Sequence, residues 1–376
     1  MLSAGGDETR PVPIARPVAG RLPVALVIVA ALSACRDGRV EQAPVRRYFF
    51  PRVTFDPRGL SPPIRVRVPA GTRSIAVVAE GDRGALYGMA VLETSDGIEH
   101  VALPGGVDLP AAMRAAYHRD RSGEMPGRLR QSIRLGLFTL VFPDRPGVAL
   151  PAGDAELRIA TSDPSHVARL EVLLPEEIGA AELPVNIFTV SREKAPADPG
   201  SQRFLAPLRA ILAGGGVALR VERVIPLASE LASMTELSEP QEPPDSASSR
   251  LALLGGAMTE GPALNIFVID SLPSGVGGWT LGTPGPPPPD TYYSGVVVAR
   301  LDGGDELARV LAHELCHYLG LWHVQHASRT GALHRDPLDD TEPDRGNLMD
   351  EAGKGTLLTP GQRFVLARHP LLRPVQ

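Results

Sequence analysis

The sequence predicts an α+β protein in which a β-sandwich-like unit precedes a unit built on a mixed twisted sheet with helices. Three observations carry this reading. Short alternating or apolar runs recur over residues 61–192, punctuated by turn residues. Beyond residue 200 the periodicity changes to helical spacing interleaved with short, wholly apolar runs. Gly (39) and Pro (38) are abundant among the 376 residues and aromatics are only 5%, a composition of turns and short strands rather than long helices.

In the first unit, Ile64-Arg65-Val66-Arg67-Val68 alternates with period two, and residues 74–78 do so in part. Residues 86–92, 133–142, 155–160 and 168–174 are further apolar or alternating runs. Pro69-Ala70-Gly71, Ser95-Asp96-Gly97, Pro104-Gly105-Gly106 and Pro151-Ala152-Gly153 supply the turns between them. Several short strands at this spacing argue for a β-sandwich. Residues 107–131, with Met113, Arg114 and Tyr117, read as a helical insertion. No cluster of catalytic residue types falls in this unit, so its expected role is structural, shielding or binding.

Residues 1–35 read as a targeting segment. Arg10, Arg16 and Arg21 precede an uncharged apolar run over 22–32, too short for the about 20 residues a membrane-spanning helix needs. The run ends in Leu32-Ser33-Ala34-Cys35, which resembles a bacterial lipobox and implies lipidation of Cys35. The other reading is an ordinary signal peptide cleaved nearby. Either implies export, to the cell envelope as a lipoprotein held on the membrane by its lipid or, if cleaved, to the outside. The stretch before the apolar run is long for such a segment and leaves the true start open. Residues 36–60 are polar, Arg-rich and Pro-interrupted, as a tether would be. A net charge of −5 with scattered Arg residues argues against a nucleic-acid partner, and a monomer is expected. The two cysteines, Cys35 and Cys316, lie in different contexts and form no disulfide framework.

A charged linker over 192–200 leads into the second unit, residues 200–376. Phe204, Leu208, Ile211 and Leu212 recur at helical spacing behind Ser201, a candidate N-cap, while Pro207 predicts a late start or a kink. Gly214-Gly215-Gly216 ends this helix. Strands are expected over 217–221, 264–269 and 296–299, a polar surface loop over 233–249, and a stiff extended segment over the prolines of 283–290.

The chemistry gathers in residues 302–350. Asp302 or Asp305 can cap a helix starting near Glu306. Leu307, Leu311, Leu315 and Leu319 lie four apart and define its core face. His313 and His317, also four apart, share another face and can hold one ion. Neutral imidazoles in this geometry suit Zn²⁺. Glu314 is placed to reach a water on such an ion without ligating it, and to take the proton of that water as it attacks a carbonyl. Gly320 can adopt the left-handed conformation that ends a helix and turns the chain back, bringing His323 as a third nitrogen ligand and leaving a fourth position open. Cys316 points away from the histidine face and reads as packing. His326 and His334 are spare, and His326 competes with His323 as third ligand. Asp336, Asp339, Asp340 and Asp344 read either as a Ca²⁺ site or as a solvated acidic loop.

Residues 313–323, His-Glu-Leu-Cys-His-Tyr-Leu-Gly-Leu-Trp-His, followed by Asn347-Leu348-Met349-Asp350, carry a resemblance to the metzincin zinc metalloproteases. It covers about residues 200–376. It implies a zinc endopeptidase with His313, His317 and His323 as metal ligands, Glu314 as general base, and Met349 as a hydrophobic support on a tight turn. It further implies a closing helix, suggested by Leu358-Thr359-Pro360-Gly361-Gln362 with Thr359 as cap. A peptide substrate would lie extended beside an edge strand within 276–300, near Trp279 and Tyr292-Tyr293. Asp340-Thr341-Glu342-Pro343 is similar to the Asp-Thr-Pro region of pappalysin-like members, with Glu342 inserted. Asp350 and Glu351 stand where astacin- and serralysin-like members have a tyrosine close by, so no tyrosine role carries over. The rival reading is a surface-anchored binding protein whose zinc site is structural or vestigial. A zymogen covered by the β unit is a third.

Overall fold

The computed structural model describes residues 26–28, 45–82, 84–102, 106–119, 130–131, 136–190, 203–227, 261, 263–270, 272, 277–280, 283–285, 294–301, 303–327, 331, 333–351 and 354–375. The chain is a sheet-rich α+β protein with four helices among these residues.

Two antiparallel sheets come first. One has the order β1 (Leu26–Ile28), β2 (Val45–Val53), β10 (Ala168–Pro175), β4 (Ile75–Gly81), β8 (Leu137–Phe142). The other has the order β3 (Ile64–Val68), β9 (Gly153–Thr161), β5 (Tyr87–Glu93), β6 (Glu99–Val101), with β7 (Arg130–Gln131) also on β5. The alternation in β3 does what period two dictates: Ile64, Val66 and Val68 are buried and Arg65 and Arg67 exposed. Side chains of both sheets, including Val77, Leu157, Met89 and Leu170, form one apolar core. Helix α1 (Leu109–Arg119) lies within the expected insertion, with Leu109, Met113 and Ala116 packed into a small cluster with Leu60 and Leu86.

The strand β2 differs from the tether expected over 36–60. Its charged residues face outward while Tyr48 and Val53 are buried, and Tyr48 OH donates to the Arg67 carbonyl at 3.0 Å. Without an unbroken apolar alternation, pairing with β10 supplies what the local pattern does not advertise. Cys35, the linker over 192–200, the loop over 233–249 and Tyr292-Tyr293 lie outside the described residues. No helix among the described residues is long and apolar enough to cross a membrane.

A mixed sheet follows, with the order β12 (Val217–Leu227), β11 (Ala181–Val190), β13 (Leu264–Ile269), β15 (Val296–Ala299), β14 (Gly278–Thr280). The first three pairings are parallel, and β14 runs antiparallel to β15 at the edge. β18 (Arg373–Pro374) adds to β11. β11 thus sits in this sheet, although residues 181–190 fall within the run assigned by sequence to the first unit. Which sheet a strand joins depends on distant partners, and those are invisible to its own pattern.

Helix α2 (Leu205–Gly214) begins late, as Pro207 requires. Its N-cap is Phe204, with no side-chain cap, while Ser201 lies outside the described residues, and Pro207 lies in the first turn, where its missing N–H costs nothing. Helix α3 (Gly304–Tyr318) lays Leu307, Leu311 and Leu315 against α2 and the sheet. It is capped by Gly303 without a side-chain bond; Asp302 lies outside the described residues, and Asp305 lies in the first turn rather than at the cap, favoured there by the helix dipole. Helix α4 (Pro360–Leu366) carries the expected cap. Thr359 accepts from the Gln362 amide, and the Gln362 side chain accepts from the Thr359 amide at 2.9 Å, a closed capping box with Pro360 at the first position.

The two parts are joined covalently through residues 176–180 and also by polar contacts. Arg73, only 2% exposed, donates through Nη2 to the carbonyls of His369 (3.1 Å) and Leu372 (2.9 Å). Ser74 Oγ donates to the Arg368 carbonyl at 2.7 Å.

Candidate metal centre

The end of α3 builds the site. Gly320 has φ +111°, a region open to glycine and strained for other residues. Its amide donates to the His317 carbonyl at 3.0 Å, and the Leu321 amide to the Cys316 carbonyl at 2.9 Å. This pair of bonds is a Schellman motif, which closes the helix and reverses the chain. Six residues after His317, His323 therefore returns to the same place. The Nε2 atoms of His313, His317 and His323 lie 3.0, 3.1 and 3.1 Å from one another.

Carbonyls set the tautomers of two of these rings. His313 Nδ1–H donates to the Leu348 carbonyl and His317 Nδ1–H to the Leu321 carbonyl, each at 2.7 Å. Each proton is thereby fixed on Nδ1 and each Nε2 lone pair is left facing the centre. Burial holds all three rings below the usual histidine range, His323 down to about 3 and His317 well down. Three neutral nitrogens at this separation fit one face of a zinc tetrahedron, whose donors stand about 3.3 Å apart for Zn–N bonds of about 2.0 to 2.1 Å.

Glu314 turns to the other side of the same turn of helix. It is 8% exposed, and burial raises its carboxyl to about 7. Thr280 on the edge strand β14 fixes it: Thr280 Oγ1 is 2.8 Å from Glu314 Oε2 and 2.6 Å from the Glu314 carbonyl. Gly278 leaves room for it, since a Cβ there would stand 2.6 Å from Glu314 Cγ. Thr280 and Gly278 escape sequence reasoning because no motif marks them; the only local signal is the edge strand anticipated near Trp279. Glu314, His317, His323, Trp279 and Trp322 line a cleft of about 310 Å³ that the hairpin β16 (Gln325–Ala327), β17 (Leu333–Arg335) walls on the far side.

Met349 is fully buried in the core of this part of the chain. Its amide donates to Asn347 Oδ1 at 2.8 Å, and its carbonyl accepts from the Val324 amide at 3.0 Å, one residue beyond His323. The Asn347 and Gln362 side-chain amides bond each other reciprocally, both at 3.1 Å. α4 therefore holds the turn whose Leu348 carbonyl orients His313. Cys316 is buried in the same core, where burial pushes its thiol far up. Three of the four acidic residues accept hydrogen bonds from their own neighbourhood. Asp336 accepts from Thr341 Oγ1 at 2.5 Å, Asp340 accepts from the Gly361 amide at 2.7 Å, and Asp344 accepts from the Gly346 amide at 2.9 Å. The His and carboxylate groups that converge among the described residues include none of them.

No protein-family model matches the chain, and no curated protein does. Among solved structures, archaemetzincin from Methanopyrus kandleri is 16% identical, with 50% of this chain and 88% of that chain covered and a TM-score of 0.28. Metalloproteinase-II from Bacteroides fragilis is 10% identical, with 53% and 62% covered and a TM-score of 0.32. The infectious bursal disease virus VP2 subviral particle is 16% identical, with 38% and 37% covered and a TM-score of 0.19. Two of these neighbours are metalloproteinases by name; at such scores the likeness assigns neither fold nor activity, and the reading rests on the side chains themselves.

Proposed function

We propose that the chain is a zinc-dependent endopeptidase of metzincin type. The observation that carries this is the convergence of three neutral Nε2 atoms beside a buried carboxylate at an open cleft. His313, His317 and His323 would hold the ion. Bound there, zinc supplies a Lewis acid that polarises a scissile carbonyl and acidifies water. Glu314 takes the proton of the attacking water as the new C–O bond forms. It then gives that proton to the amide nitrogen as the C–N bond breaks, so the base is regenerated in each turnover. A carboxyl near 7 is suited to both directions of transfer. Thr280 holds that carboxylate toward the cleft. β14 is the last strand of the sheet among the described residues, and an extended peptide would add alongside it as a further strand. At the N-terminus, lipidation at Cys35 would tether the enzyme to the envelope, and mass spectrometry of the mature N-terminus tests that.

The deciding experiment is digestion of a peptide library by the wild type, by the wild type with a zinc chelator, and by Glu314→Gln. Cleavage is expected only in the first. Glu314→Gln is expected to keep its zinc and lose about 10² to 10⁴-fold in rate. Wild-type rates in that variant refute the mechanism. Stoichiometric zinc without any cleavage favours a binding protein.

A further inference from the structure

A second set of donors stands beside the three-histidine centre. His323, His326 and Glu351 each offer one ligand atom, and these atoms lie within 4.8 Å of one another. His326 Nδ1 is 3.6 Å from Glu351 Oε2, beyond hydrogen-bond length. Two donors sharing one zinc-like ion at about 2.1 Å each stand about 3.0 to 3.5 Å apart, close to the separation seen. His326 Nδ1 is shut off from solvent and has no hydrogen-bond partner among the described residues. His323 has a nitrogen to spare as well. Its Nε2 faces His313 and His317, and its Nδ1 lacks the carbonyl partner that the other two rings have among the described residues.

The fold brings these groups together from three places. His323 follows the reversal at Gly320. His326 is the middle residue of β16, opposite His334 of β17. Glu351 comes two residues after Met349, whose carbonyl is bonded to the Val324 amide. Two imidazoles and one carboxylate favour a borderline divalent ion over the all-oxygen shells of Ca²⁺ or Mg²⁺.

We propose that His326 and Glu351, completed by Nδ1 of His323, hold a second zinc-class divalent cation on the wall of the cleft. The proposal rests on the three-histidine reading through the shared His323. Coordination through both ring nitrogens releases the Nδ1 proton of His323 to solvent. The second ion clamps the β16–β17 hairpin to the segment after Met349. Since His326 lines the same cleft as Glu314, filling the second seat narrows the path to the first, and excess zinc inhibits the enzyme.

Equilibrium dialysis of the full chain against buffered free zinc, with bound zinc counted by elemental mass spectrometry, tests this. The wild type is expected to fill in two steps. His326→Ala and Glu351→Gln should keep the tight step and weaken the other by more than about tenfold, the scale at which even outer partners of a metal act. Both side chains are partly exposed, 42% and 54%, so the replacements leave the core intact. Peptide hydrolysis by the wild type should fall as the second step fills, and Glu351→Gln should need more than about tenfold more zinc for the same fall. A wild-type curve that stops at one zinc, or a second zinc unmoved by both replacements (an adventitious ion only), overturns the proposal. A wild-type curve lacking the tight step overturns the three-histidine reading and this proposal with it, so the two failures are told apart.

Discussion

The two-sheet part and the mixed-sheet part bury polar groups for different ends. In the first, buried hydroxyls close the backbone. Ser61 Oγ accepts from the Ile159 amide and Ser162 Oγ from the Leu86 amide, both at 2.9 Å, and Tyr87 OH accepts from the Asp82 amide at 3.1 Å. Burial pushes the Tyr87 phenol to about 12, so it stays neutral. In the second, one helix carries two imidazoles and a carboxylate into the interior, and each is held by a different segment: His313 by Leu348, His317 by Leu321, Glu314 by Thr280. Stability alone does not favour burying titratable groups this way. The contrast teaches that polarity follows the backbone in the first part, whereas in the second the backbone is arranged around polarity.

Substitutions can break this contrast. The largest effect is expected in the first part: Leu157→Ala, at a fully buried position, should cost about 2 to 5 kcal/mol in denaturant unfolding and leave the zinc content of the folded fraction unchanged. A zinc content that falls in step would show that the two parts are one functional unit. Next comes Glu314→Gln, measured without metal. The native carboxyl lies near 7 against a reference of 4.5, so its raised value gives stability that is complete below about 4.5 and lost as pH rises through about 7. The variant should therefore be the more stable above pH 7, by up to about 3 kcal/mol, with the gain vanishing in acid. A gain independent of pH would remove buried charge as its cause. Asn347→Ala should cost about 1 to 3 kcal/mol, because Gln362 and the Met349 amide lose a buried partner. It should also weaken zinc binding about 10 to 100-fold through Leu348 and His313, as a metal titration will show. The smallest effect is expected for Gly320→Ala, about 1 to 2 kcal/mol from its positive φ, read by thermal unfolding of the metal-free protein.

Local rules were legible in the sequence and distant ones were not. β3, β13 and β15 coincide with runs read from their pattern alone, and the capping box of α4 is written in four residues. The reversal at Gly320 follows from spacing. The start of α3 did not follow, because a glycine cap leaves no side-chain signature. β2 was hidden by its charges, and the sheet that β11 joins is decided by partners distant in sequence, such as Leu264 opposite Val185 and Pro374 opposite Ala181. At the site, His313, Glu314 and His317 were visible because one helix fixes their spacing, and His323 because the reversal at Gly320 brings it back to them. Thr280, Gln362 and the Leu348 carbonyl were not, since support of this kind needs only a short polar group or a carbonyl and many sequences provide one.

The bonds from Arg73 and Ser74 to the carbonyls of 368–372 also bear on the order of events during synthesis. Ribosomes make residue 73 long before residue 372, and domains made first tend to fold first. The two-sheet part can thus stand ready, with its guanidinium in place, when the segment carrying α4 emerges. That segment brings Gln362 to Asn347, and with it the carbonyl that orients His313. The metal centre is therefore completed only once α4 has been made, and a polypeptide stalled before α4 would carry all three histidines without the support that sets them.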